Sequence, residues 1–93
     1  MYIIHHTMKD IKQVFFTKQP EAILRAFIDG KSRPGYHAVR ESHAAYSTVY
    51  NYLKLFIKHG LMEKDGNLNR ITPKGISLLS TLTDIREFLD DGE

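Results

Sequence analysis

Four side chains able to act together recur along one stretch of the chain: Ser47, Asn51, Lys54 and Lys58, separated by four, three and four residues. At 3.6 residues per turn, that spacing puts all four on one helix face. Their chemistry is hydrogen bonding and charge neutralisation. The asparagine amide offers a donor beside an acceptor, the serine hydroxyl serves as either, and the ammonium groups seek anions. No catalytic set accompanies them. The chain has no cysteine, so a thiol nucleophile, a disulfide framework and a cysteine-based zinc site are all excluded. His5 and His6 are neighbours and so do not share a helix face, and no nearby carboxylate completes a metal triad with them. Asp90, Asp91 and Glu93 read as a disordered acidic tail, not as an acid–base pair. There is no phosphate-binding glycine loop or nucleophile elbow. The residues argue against an enzyme, and no metal or cofactor is expected.

The elements that must carry the polar face follow from local pattern. Its own helix is expected over about 46–59, with Val49, Tyr52, Leu53 and Phe56 as the apolar stripe opposite. Lys58 and His59 suit the negative helix end, and Gly60 supplies the stop. Upstream, residues 20–29 read as a helix: Pro20 suits its start, Glu21 its positive end, and Ala22, Ile23, Ala26 and Phe27 recur at helical spacing before Gly30. After the breaker-rich turn at 31–35, a short helix is expected over about 36–41, burying Tyr36 and Val39. Residues 42–45 make a tight connection to the polar helix. Downstream, Asp65-Gly66 marks a hairpin between short strands at 61–64 and 68–72. Thr72 then caps a final helix with Pro73 at its first position, running to about Leu89. Residues 8–16 fit either a short helix through Ile11, Val14 and Phe15 or a strand over 13–16.

Helix, helix, helix, hairpin, helix is the order of a winged helix: a mainly α chain with a small β-hairpin (α+β). Ninety-three residues fit one domain spanning 1–93. The longest apolar run is far below the roughly 20 residues of a membrane helix, and the first residues lack the basic start and apolar stretch of a signal peptide. A soluble, cytoplasmic protein is expected.

Charge divides unevenly. The net +2 of the whole chain combines +6 over residues 1–80 with −4 over residues 81–93. A basic body with an acidic end suits a surface that meets a polyanion. Two helices joined by a tight turn, the second polar outside, form a helix-turn-helix, and the DNA major groove admits one helix.

Ser47-Thr48-Val49-Tyr50 followed by Leu53, Gly60-Leu61, a hairpin and Thr72-Pro73-Lys74-Gly75 resembles the winged-helix regulators of the MarR and PadR type, small examples of which occur in archaea and their viruses. The likeness covers roughly residues 17–80. It implies a helix-turn-helix at about 36–59 with its recognition helix at 46–59, a wing at 61–72, and a dimerisation helix at 73–89. Carried over by position, Tyr46, Ser47, Thr48, Tyr50, Asn51 and Lys54 would face double-stranded DNA. Asn pairs bidentately with adenine, Thr meets the thymine methyl, and Lys reaches phosphate or guanine. Ser47 and Thr48 also suit simple helix-start capping, and Tyr52 reads as a core aromatic. Lys64 and Arg70 remain as wing contacts, although the tip, 65–69, is short and Asp65 would repel phosphate. Lys31, Arg33 and Arg40 could clamp backbone phosphates, and His37 and His43 read as polar or phosphate-facing.

The final helix carries Leu78, Leu82, Ile85 and Leu89 at spacings of four, three and four, the pattern of helix pairing, with Ile76, Leu79 and Phe88 left to face the domain core. A homodimer acting as a repressor on a palindromic site is the resulting expectation. The alternative is a winged-helix protein-interaction module, which would expose more apolar area on the polar face. A separate effector domain does not fit the length, so a small-molecule effector would sit between subunits; nothing in the sequence names one.

Overall fold

A computed structural model describes residues 17–91, with side chains described through Leu89. The ambiguous segment 8–16 lies outside the described residues.

The first helix, α1 (Lys18–Arg25), buries Pro20, Glu21, Ile23 and Leu24. Pro20 falls in its first turn, where a missing N–H costs nothing. Regular helix stops at Arg25, four residues short of the expected end. The chain tightens there into three-residue hydrogen bonds, Phe27 N–H to Leu24 O at 3.1 Å and Gly30 N–H to Phe27 O at 3.0 Å. Gly30, at φ +81°, then reverses it.

Helices α2 (Gly35–Ser42) and α3 (Tyr46–Lys58) form the helix-turn-helix. The Ser42 hydroxyl fixes the turn, donating to Ala38 O at 2.6 Å and accepting from Ala44 N–H at 3.2 Å. His43 ends α2 in the left-handed region, φ 59° and ψ 19°. The expectation that α2 buries Tyr36 is overturned: Tyr36 is 52% exposed, and Val39 is half-buried. The inward side of α2 is instead Gly35 and Ala38. Small residues let α2 approach α3 closely, which rotates the larger Tyr36 outward.

Strands β1 (Met62–Asp65) and β2 (Leu68–Ile71) pair antiparallel, from Met62 opposite Ile71 to Asp65 opposite Leu68. That register leaves a two-residue loop, Gly66-Asn67, and only Gly66 takes positive φ (+63°), the pattern of a type II′ turn. The sequence gives no sign of a further bridge, in which Arg33 and Asn69 exchange backbone hydrogen bonds at 2.9 and 2.8 Å. The segment after α1 is thereby stitched to the hairpin.

The last helix, α4 (Pro73–Asp91), starts as expected. Thr72 Oγ1 accepts from Gly75 N–H at 3.1 Å and donates to Gly60 O at 2.6 Å. A Cβ on Gly75 would fall on the carbonyl oxygen of Leu61, so only glycine lets α4 pack this closely on the hairpin. The backbone stays helical through Asp90 and Asp91, which the sequence reading assigned to a disordered tail.

The core unites Ile23, Leu24 and Phe27 with Ala38, with Val49, Leu53 and Phe56, and with Leu61, Met62, Ile71 and Leu79. Leu79 alone comes from α4, flanked by half-buried Leu78 and Leu82. Ile76 and Phe88, assigned to the core side, are 42% and 75% exposed. Phe88 lies beyond Leu82, the last α4 side chain packed on the core among the described residues.

Candidate nucleic-acid interface

The apolar stripe of α3 turns inward as its spacing requires: Val49, Leu53 and Phe56 are buried, and Tyr52 stacks on Phe56 with ring centroids 6.0 Å apart. Opposite them, Ser47, Asn51, Lys54 and Lys58 are all exposed. The N-cap of α3 is Ala45, with no side-chain cap bond, so Ser47 and Thr48 are not engaged in capping. Thr48 is half-buried and, with Asn51, Tyr52 and Leu55, lines a shallow groove along one flank of the helix.

At the start of α3 the structure assembles a group of rings. Tyr46 stacks on Tyr50, centroids 4.7 Å apart at 25°, and their hydroxyl oxygens are 3.4 Å apart. Tyr36 of α2 approaches Tyr46 at 6.3 Å and 42°. The hydrogen bond to Tyr46, and then burial, push the Tyr50 phenol above the ordinary tyrosine range, so it carries no charge near neutral pH. Sequence reasoning named Tyr46 and Tyr50 but missed Tyr36. Its only signal was that Tyr36 follows Gly35 at the start of a short helix.

The cations divide into two groups. Lys31, Arg40, Lys54 and Lys64 are exposed, and no ion pair among the described residues involves them. Arg33 and Arg70 are engaged. Arg33 pairs with Asp29, and this partner, with the Lys31 N–H, holds the Asp29 carboxyl at about 2. Arg70 reaches across the hairpin to Glu63 at 2.9 Å and lies 3.5 Å from Asp65. Ser32 joins them, donating to Asp65 Oδ2 at 2.6 Å and accepting from Arg70 at 3.4 Å. Glu63 and Asp65 balance Lys64 and Arg70, so the wing has no net charge. Expected as two contacts, the wing offers one unengaged cation, Lys64.

Neither helix-turn-helix histidine has the same setting. His37 is turned inward, its Nε2 2.9 Å from Ala26 O and its ring edge-on to Phe27 at 5.9 Å, where it holds the end of α1. His43 is exposed.

Behind this surface, α4 is tied to α1 by an ion-pair group invisible in the sequence. Glu21, 4% exposed, accepts from Arg86 at 2.8 Å and from Arg25 at 2.9 Å, and Arg25 also donates to Thr83 at 3.1 Å. Hydrogen bonding from Arg86, resisted by burial and helped by Arg25, lowers the Glu21 carboxyl from 4.5 to about 2. Of the expected pairing stripe, Leu78 and Leu82 are half-buried on their own core, whereas Ile85 and Leu89 are 50% and 64% exposed. Among the described residues no helix is long and apolar enough to cross a membrane, and no group of three acidic or histidine side chains is placed to hold a metal.

Three comparisons bear on this architecture. None of the curated proteins compared with the chain matches it in sequence. The structure of Bordetella bronchiseptica BpsR, described for the regulation of its DNA binding by 6-hydroxynicotinic acid, superposes with a TM-score of 0.70 at 18% identity. The match covers 82% of this chain but 58% of BpsR, and at that identity it speaks to the fold alone. The model of the winged helix-turn-helix family matches residues 22–90, from α1 to the end of α4. With that span of the sequence matched and the helix-turn-helix, hairpin wing and closing helix all in place, this chain belongs to the winged helix-turn-helix family.

Proposed function

We propose that the chain is a DNA-binding transcription regulator that sets α3 into the major groove of double-stranded DNA, acting as a homodimer and as a repressor. The observation that carries this reading is the outer face of α3. Ser47, Asn51, Lys54 and Lys58 are exposed together on the second helix of a helix-turn-helix, and capping does not occupy Ser47. A groove edge of donors and acceptors asks for such side chains, and the flanking phosphates ask for cations.

In this reading Asn51 and Ser47 meet base edges, with Thr48 at their flank and Lys54 reaching guanine or phosphate. Lys31, Arg40 and Lys64 neutralise backbone charge from the segment before α2, from α2 and from the wing. Arg33 and Arg70 are contributors only where phosphate displaces their carboxylate partners. The exposed Ile85 and Leu89, continued by the edges of Leu78 and Leu82, pair two copies through α4. Two-fold pairing would present the two α3 helices about 34–36 Å apart, one turn of DNA. Family membership supports the DNA partner.

The experiment is selection of bound sequences from random duplexes, followed by titration across salt. The selected site should be palindromic, and affinity should fall with a log–log salt slope on the order of −5 to −9 for roughly 6–10 phosphate contacts. A flat response, or no binding to any duplex at low ionic strength, would overturn the reading.

A further inference from the structure

Tyr36, Tyr46 and Tyr50 make an apolar step at the edge of an otherwise polar surface. Tyr36 and Tyr46 are 52% and 57% exposed, two of the largest exposed apolar side chains among the described residues. Scattered apolar side chains on a surface are ordinary, but adjoining ones mark a contact.

The step is held in place from beneath. Tyr50 is half-buried and lies across Gly35, where an added Cβ would come within 2.6 Å of its ring. Glycine at the start of α2 is therefore what seats Tyr50, and Tyr50 in turn braces Tyr46. Each ring is limited by its neighbours, so little side-chain freedom remains to be lost on binding.

The arrangement also decides how the rings can be used. Tyr46 has Tyr50 stacked on one face, and Tyr36 lies tilted to it at 6.3 Å. The Tyr46 face that Tyr50 covers is closed to a stacking base. What the three rings leave exposed is an apolar surface. It begins beside Ser47 and runs on into the polar stripe of α3, and Arg40, one turn beyond Tyr36 on α2, adds an exposed cation on that side. A major-groove floor presents one apolar group to such a surface, the thymine C5-methyl.

We propose that Tyr36, Tyr46 and Tyr50 form a preorganised aromatic step that reads thymine methyl groups in the major groove. The proposal rests on the duplex-binding reading and adds a base preference to it. Tyr46 makes the contact, Tyr36 widens it, and Tyr50 positions both.

The test compares duplexes selected by the wild-type protein with identical duplexes carrying deoxyuridine in place of every thymidine. Wild type should lose about three- to five-fold in affinity per methyl removed, the worth of burying one such group. Tyr46→Ala should bind more weakly and no longer distinguish thymine from uracil, Tyr36→Ala should reduce the distinction, and Asn51→Ala should keep it. These rings are surface groups, so the variants retain the core. Equal binding of the two duplexes by wild type, selected sites without thymine, or an unchanged ratio in Tyr46→Ala would each overturn the methyl reading while leaving duplex binding intact. Failure to bind any duplex would remove both.

Discussion

Arg70 and Glu63 face each other across the two strands of the wing, the guanidinium donating to the carboxylate through two nitrogens at 2.9 and 3.1 Å. Asp65 and Ser32 close on the same guanidinium. The Arg70 guanidinium is thus already neutralised, and DNA would have to take it from its partners. The expected outcome is that Glu63→Gln strengthens duplex binding and steepens the salt slope by about 1. Loss of a repelling charge would also strengthen binding, so the decisive measurement is a double-mutant cycle. In an Arg70→Gln background the gain from Glu63→Gln should vanish if it acts by freeing Arg70. A gain that persists there assigns the effect to simple repulsion.

The buried carboxylate at the α1–α4 junction leads to a pH dependence. Glu21 titrates at about 2 when folded and near 4.5 when not, with Arg86 the first cause. Folding therefore favours its ionised form. The stabilisation is complete above about pH 4.5 and is lost as pH falls towards 2. A shift of this size corresponds to at most about 3 kcal/mol, less because Arg86 is half exposed. Urea unfolding between pH 7 and pH 3 should show this contribution constant down to about pH 4.5 and stability declining below it, and Glu21→Gln should be less stable at pH 7 with a flatter profile. A variant profile parallel to wild type would remove Glu21 from the account.

These two pairs also mark where the sequence stops being legible. Thr72, Gly60 and Gly66 announced a cap, a helix end and a hairpin because their jobs are local: each acts on backbone within a few residues of itself. The polar and apolar faces of α3 were legible for the same reason, since helical period alone separates Asn51 from Leu53. Glu21 was read only as a favourable charge at a helix start, because its partner Arg86 is 65 residues away. Arg70 looked like a free cation because its pairing with Glu63 depends on cross-strand register. Arg33 pairs with Asp29 only four residues before it, a local partner that the reading of the turn overlooked. Tyr36 misled in the opposite sense. It was expected to be buried with Val39, yet Gly35 and Ala38 were the residues that packed.

The helix-turn-helix corner carries a strained residue. His43 sits at φ 59°, the one non-glycine residue at positive φ among those described, and it is exposed. Left-handed backbone costs a residue with a Cβ roughly 1–2 kcal/mol, part of which glycine would give back in unfolded-chain entropy. His43→Gly is expected to stabilise the fold by about 0.5–1 kcal/mol, seen as a rise in Tm of roughly 2–8 °C for a domain of this size. A fall in Tm would show that the imidazole makes a contribution outweighing its backbone conformation.

Dimerisation through α4 is best probed away from the core. Leu82, central to the pairing stripe by spacing, is half-buried against its own domain, so an acidic substitution there would damage the fold and the interface together. Ile85 is 50% exposed and one turn further on, with Phe88 and Leu89 more exposed still. Light scattering on a sizing column should give twice the 10.8 kDa chain mass for wild type and the single mass for Ile85→Asp, with an unchanged Tm at low concentration. Because a dimer doubles the phosphate contacts, the monomeric variant should also show a salt slope about half as steep. A wild-type monomer would end the dimer reading, and an Ile85→Asp dimer would place the second copy elsewhere on the molecule; either leaves the exposed end of α4 without this role.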